Sequence, residues 1–169
     1  MPPLEPTTEA MSSGFDSPEQ EVFLQLWRTY DCLMAIEADL FGRYDLSPQQ
    51  YNVLRLLLAG PSGGMQTMEL GRRLISRSPD MTRMLDRLEK RGLIERVRQV
   101  VNRRVVLARL TPAGESILAT LASDVLRMHQ RQVGHLPLEQ QRQLVKLLKQ
   151  ARAPHEQRVS PQPASDLGQ

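Results

Sequence analysis

SPDMTRMLDRLEKRGLIERVRQVVNRR, residues 78–104, holds eight Lys and Arg residues in 27. Met81, Met84, Leu85 and Leu88 recur at three- and four-residue spacing, which puts them on one side of a helix. That spacing predicts a helix over 79–91, and Gly92 is its stop signal. The β-branched runs 94–98 and 103–110 follow, separated by QVVN, and read as a hairpin with Asn102 as the turn residue. Just upstream, 68–74 reads as a short helix with Thr67 as a possible cap, joined to the next helix by a tight connection at 75–77. Two short helices across a tight turn, followed by a hairpin, make a winged helix-turn-helix.

The rest of the chain organises around that unit. Ser17-Pro18, Ser47-Pro48, Ser78-Pro79 and Thr111-Pro112 each precede an apolar-periodic run. A hydroxyl cap followed by Pro at the first helical position is a helix start, because the missing N–H needs no partner there. Gln20 and Gln50 complete capping-box patterns at the first two. Helices are therefore expected over 18–42, 48–59, 111–132 and 138–151, with Gly134 and Pro137 between the last two. Helix 18–42 carries an apolar stripe (Phe23, Leu26, Trp27, Tyr30, Leu33, Met34, Leu40, Phe41) that Glu37 interrupts. GPSGG at 60–64 reads as a turn; no Lys-Ser/Thr follows to make it a phosphate cradle. The expected fold class is mainly α with a small β-hairpin wing. The expected organisation is a disordered arm (1–16), one folded domain (17–152) and a disordered polar, Pro-rich tail (153–169). Within the domain, the winged-helix lobe occupies about 47–110, with helices 18–42 and 111–152 on either side of it.

Between Arg72 and Arg109, twelve Lys and Arg face four acids, a local charge of +8 in a chain of net +3, so the remainder sums to −5. Such a block is the footprint of nucleic-acid binding, although a solvated, salt-bridged surface helix has the same composition. The helix-turn-helix weighs toward DNA, since a recognition helix enters the major groove with its N-terminal residues at base edges. Thr82 and Arg83 are the leading base contacts there. Ser76, Arg77 and Ser78 sit at the helix start, where an N-terminus favours a phosphate. Arg87 lies one turn on, suited to the backbone or to bracing Asp86. Arg103 and Arg104 lie near the wing tip. Asp80 reads either as a helix-start residue or as an acceptor in the groove.

Other classes are poorly supported. No apolar run approaches the roughly 18 residues that span a bilayer, and residues 1–15 lack the basic and apolar regions of a secretory signal. A single cysteine, Cys32, cannot form an intramolecular disulfide, which fits a cytoplasmic protein. His129, His135 and His155 are too scattered for a metal site and join no Ser-His-Asp or Cys-His set. No enzyme, metal or cofactor is therefore expected. A winged-helix module docking on an acidic protein partner is the alternative of a different class.

The stretches SPQQYNVLRLL, MELGRRL, MTRMLDRLEKRGLIER and NRR…LTPAG, over residues 47–114, resemble the MarR family of bacterial transcription regulators. The resemblance implies a homodimer built from the N- and C-terminal helices, binding a pseudo-palindromic operator on double-stranded DNA, with ligands entering a cleft between lobe and dimer helices. A repressor released by a small aromatic or phenolic ligand is the expected form. The family's wing usually reads Asp-Arg-Arg; here it reads Asn102-Arg103-Arg104, without the acid that would brace the wing. Beside the resemblance, the wide stripe of helix 18–42 together with Ile117, Leu118, Leu121, Val125, Leu126, Leu144, Leu147 and Leu148 is more than a lobe of about 65 residues covers; a partner's helices would cover it, and packing within the chain is the alternative. Trp27, Tyr30, Met34 and Tyr44 fit either core, the commoner fate of such stripes, or a ligand pocket to which Arg43 adds a counter-charge. A thiol sensor is a variant in the family, but its cysteine would align near Phe23. Cys32 lies about two turns later and is expected to be a small buried residue.

Overall fold

The computed structural model describes residues 14–74, 80–99, 102 and 105–159. Among these, the order is α1 (Pro18–Gly42), α2 (Pro48–Leu58), β1 (Met65–Gln66), α3 (Thr67–Arg73), α4 (Met81–Lys90), β2 (Ile94–Arg98), β3 (Val106–Leu110), α5 (Pro112–Val133) and α6 (Leu138–Val159). The expected disordered arm and tail fall largely on residues 1–13 and 160–169, outside the described residues.

The caps account for the helix starts. Ser17, Ser47 and Thr111 each accept a hydrogen bond from the backbone N–H three residues on. At Ser47 the capping box is complete, with Gln50 accepting the Ser47 N–H in return. At the first helix Gln20 reaches one residue further back, accepting from the N–H of Asp16 and donating to its carboxylate. Two starts differ from expectation. Thr67 is the first residue of α3 rather than its cap; the cap is Gln66, which gives no side-chain bond. At α4 the cap is Asp80, whose Oδ1 accepts the Arg83 N–H at 3.0 Å, so Asp80 is the helix-start residue. Gly92, at φ +68°, ends α4 in the left-handed conformation that favours glycine.

The sheet has three strands, in the order β1-β3-β2, all antiparallel. The hairpin β2–β3 pairs Ile94 with Leu110 through to Arg98 with Val106. It closes with Gln99 N–H donating to Val105 O and Val105 N–H donating to Asn102 O, so Asn102 is in the turn. β1 was not expected. Its two residues, Met65 buried and Gln66 exposed, are too few to show a period, and they pair Met65 with Ala108 and Gln66 with Leu107. The GPSGG turn delivers them: Gly64 sits at φ +94°, where a Cβ would lie 2.7 Å from Ala108 O.

One core joins all this. Leu40, Phe41, Val53, Leu54 and Leu57 meet Leu70, Met84, Leu85, Leu88, Ile94 and Ala108, and the cluster continues into α5 through Leu118, Leu121, Val125 and Met128. Phe41 stacks on Tyr51 with ring centroids 4.4 Å apart. Gln132 is buried and satisfied, donating to Leu33 O of α1 at 3.1 Å. The apolar face expected for α4 is the buried one.

Two stretches depart from the sequence reading. The last helix, expected to end near Ala151 ahead of a disordered tail, runs on to Val159 with Pro154 inside it. A proline removes one backbone bond of the ladder, while the Arg152–Glu156 pair at 2.7 Å bridges the proline from either side. The N-terminal half of the α1 stripe is not core in the single chain. Phe23, Trp27 and Tyr30 are 61%, 62% and 57% exposed, and Leu26 is exposed as well. Cys32, on the same helix, is exposed rather than buried.

Candidate nucleic-acid interface

The side of α4 opposite its buried face presents Thr82, Arg83, Arg87 and Lys90, all exposed. The Arg83 guanidinium rests 3.0 Å from Asp80 Oδ2 with most of its side chain in solvent. An exposed pair of this kind contributes at most about 1 kcal/mol, so Arg83 can leave it for a better acceptor at little cost. Ser76, Arg77 and Ser78, expected at the head of this helix, lie outside the described residues, as do Arg103 and Arg104 of the wing.

The wing is braced at its base. Arg96 of β2 reaches across to α4, placing Nη2 2.5 Å from Asp86 and 2.6 Å from Glu89, with Nε 2.9 Å from Glu89. Its backbone N–H also donates to Glu89. Thus Arg96, not Arg87, holds Asp86, and two acids of α4 tie the base of the wing to the helix. The side-chain bonds from Arg96 hold the Glu89 carboxyl below its usual range, and the same bonds raise Arg96. At the other edge, Arg109 donates from Nε to Gly63 O at 2.7 Å and lies 4.0 Å from Glu95 across the hairpin.

Not all of the basic block faces outward, therefore. Arg96 and Arg109 hold the wing, and Arg91 donates to backbone carbonyls at the α1–α2 corner. Arg72 and Arg73 stay exposed and pair with Glu69 on their own helix. A charge count cannot separate Arg91, Arg96 and Arg109 from Arg83, Arg87 and Lys90, because the distinction rests on tertiary partners. Only the spacing of Asp86 and Glu89, three apart on a helix beside a strand, hints at the role of Arg96.

Replacing Arg96 by Met keeps the stem and removes the charge. The expected loss at neutral pH is about 1–2 kcal/mol, the low end for charge-assisted bonds because both acids keep contact with water. Glu89 has a lowered pKa when folded. Its contribution is complete above the ordinary glutamate range and disappears as pH falls through the lowered value. The Tm gap between wild type and Arg96→Met should therefore narrow on acidification. A gap that is constant with pH would show that the charged pair is not what the substitution removes.

A cleft of about 200 Å3 lies between α1, α2 and α5. Tyr30, Met34, Glu37, Tyr51, Arg55 and His129 are among its walls. Of the five residues proposed from sequence for a ligand pocket, it gathers Tyr30 and Met34. Trp27 faces a separate hollow with Phe15 and Leu24. Arg43 pairs with Asp39 at 2.5 Å, beside Asp124 and Arg127, and the Tyr44 hydroxyl donates to Asp124 at 2.8 Å. The charged residues of the cleft are thus Glu37 and Arg55, not Arg43. Burial pushes the Tyr51 phenol up, against the pull of Arg55 beside it. Among the described residues no group of His, Cys, Asp and Glu is placed to hold a metal ion, and no helix is long and apolar enough to cross a membrane.

Comparison with known proteins places this geometry. The model of the MarR family matches residues 46–106. The HTH-type transcriptional regulator YkoM of Bacillus subtilis is 30% identical over 145 residues, 83% of this chain and 93% of the relative. The homoprotocatechuate degradative operon repressor of Escherichia coli is 24% identical over 127 residues, 75% of this chain and 84% of the relative. Among solved structures, a MarR transcription factor from Planctomyces limnophilus is 47% identical, with a TM-score of 0.63 over 80% of this chain and 98% of the other.

Proposed function

This chain belongs to the MarR family of DNA-binding transcription regulators, and from that premise we propose that it binds a pseudo-palindromic operator as a homodimer and acts as a repressor released by a small ligand. The observation that supports the reading is α4: its apolar face is in the core, its opposite face offers Thr82, Arg83 and Arg87, and Arg96 fixes the wing beside it. The named relative that is a repressor supports the sign of regulation. Residues 17–159, to the end of α6, act as one regulator domain in the cytoplasm. Selecting duplexes from a random library on the purified protein, then sequencing them, tests the reading; an inverted repeat with half-sites about 10 base pairs apart, or a multiple, is expected. A protein that selects no duplex but captures an acidic protein partner would replace it with the docking-module alternative.

The dimer is supported by apolar surface left open in one chain. The exposed half of α1 (Val22, Phe23, Leu26, Trp27) and the exposed Leu138, Leu144, Val145 and Leu147 of α6 lie on the two terminal helices. Large apolar side chains left open along both terminal helices are the kind of surface that a second copy of the chain would cover.

The wing contributes phosphate or minor-groove contacts through Arg103 and Arg104, which follow Asn102 directly in the sequence of a basic hairpin. Replacing both by Ala should weaken binding to all duplexes and flatten the salt slope by roughly 1 to 2 per subunit, one phosphate for each side chain. An unchanged slope would remove them from the interface. The ligand reading moves to the cleft between α1, α2 and α5. At about 200 Å3 it falls below the roughly 300 Å3 at which drug-sized pockets begin. A single-ring aromatic or phenolic molecule suits it, with Arg55 in place of Arg43 as the counter-charge.

A further inference from the structure

We propose that Tyr44 and Arg91 are positioning residues: together they form a strut that sets the angle of α4 against α5, and through it the spacing of the two recognition helices in the dimer. The inference rests on the dimeric DNA-binding reading and adds a device to it.

The strut begins at the end of α4. Arg91 is the C-cap residue, its N–H donating to Arg87 O and Glu89 O. Its side chain is partly buried and grips the α1–α2 corner, with Nη2 donating to Tyr44 O at 3.0 Å and Nη1 donating to Asp45 O. That corner is a stiff turn. Asp45 sits at φ +53°, and Tyr44, Asp45 and Leu46 all donate back to the last residues of α1. From the same corner the Tyr44 hydroxyl crosses to α5, donating to Asp124 Oδ2 at 2.8 Å, and Asp124 is also held by Arg127. A second tie fixes the next residue of the chain: Thr111 Oγ1, at the head of α5, donates to Gly92 O at 2.6 Å.

The C-terminal end of α4 is thus pinned from two sides, while its base-reading residues lie at the other end. Thr82 is roughly 13 Å along the axis from Arg91, so a rotation of roughly 10° at the pin moves it by roughly 2 Å. Two symmetric protomers double the error, which then exceeds the roughly 3.4 Å rise of one base pair. The hydroxyl is the part that does this. Phenylalanine at position 44 would keep the ring and the corner and lose only the bond to α5.

The test uses the full chain and duplexes selected on the wild type from a random library. Affinity is measured for the selected operator and for versions with one base pair added or removed between half-sites. Wild type should show one preferred spacing. Tyr44→Phe and Arg91→Ala should each lose about 2- to 30-fold on that spacing and flatten the preference, with random duplex bound as before. The double variant should lose less than the two single losses combined, because both act through one corner. Spacing profiles parallel to wild type, whatever happens to Tm, would overturn the strut. A wild type that selects no duplex would overturn the DNA-binding reading itself, a failure distinguishable from the other.

Discussion

Arg83→Ala is expected to weaken operator binding by about 1–3 kcal/mol per half-site, hence roughly 2–6 kcal/mol for a symmetric dimer, and to relax specificity at particular base pairs. The substitution isolates the guanidinium. Asp80 caps α4 through the backbone N–H of residue 83, which Ala retains, so the helix start is kept. The lost contact with Asp80 is an exposed one and adds little to stability. Arg83 stands in the first turn of α4, the part of a recognition helix that enters the groove deepest. Its guanidinium can meet guanine O6 and N7 together, which Lys cannot do with the same geometry. A side chain that meets only phosphate would behave otherwise: specific and random duplexes would weaken equally at matched salt. Equal losses would remove Arg83 from the base contacts.

Leu26→Glu and Leu33→Glu should each leave a folded chain that no longer dimerises, or one that aggregates. Leu26 is exposed in the single chain and Leu33 half-buried, and Glu is a good helix former, so α1 itself tolerates the change at position 26. In a dimer seam the same carboxylate would be buried without a partner, at a cost of several kcal/mol, incurred once in each protomer. Operator affinity should fall with it, because a monomer meets one half-site. Sedimentation of both variants decides the matter: well-folded dimers from both would take α1 out of the interface.

How much of this was legible in the sequence follows from range. The caps at Ser17, Ser47 and Thr111 and the stop at Gly92 are local chemistry, and each acts where the sequence places it. The buried side of α4 follows from spacing alone. β1 was missed because two residues carry no period; the strand exists through its pairing with Ala108 and Leu107, more than forty positions away. The positive charges divide on the same ground. Arg83 and Arg96 look alike in the chain, and only the approach of β2 to Asp86 and Glu89 makes one of them a brace. In the cleft, Tyr30 and Met34 were within reach of helical spacing. Tyr51, Arg55 and His129 come from α2 and α5 and needed the fold to bring them in. Glu37 was visible as a break in an apolar stripe, and its place in that cleft is a reason for the break. Burial of Cys32 was expected because the sensor cysteine of the family would align near Phe23 instead, but Cys32 is exposed on α1.

The central claim is that the face formed by α4 and the wing binds duplex DNA, and the salt dependence of that binding tests it most directly. Measured between about 50 and 200 mM salt, log K for a duplex selected on the protein should fall linearly with log salt, with a slope near −0.9 for each phosphate neutralised and several phosphates per dimer. A slope near zero, or no binding to duplex at any salt, would contradict it.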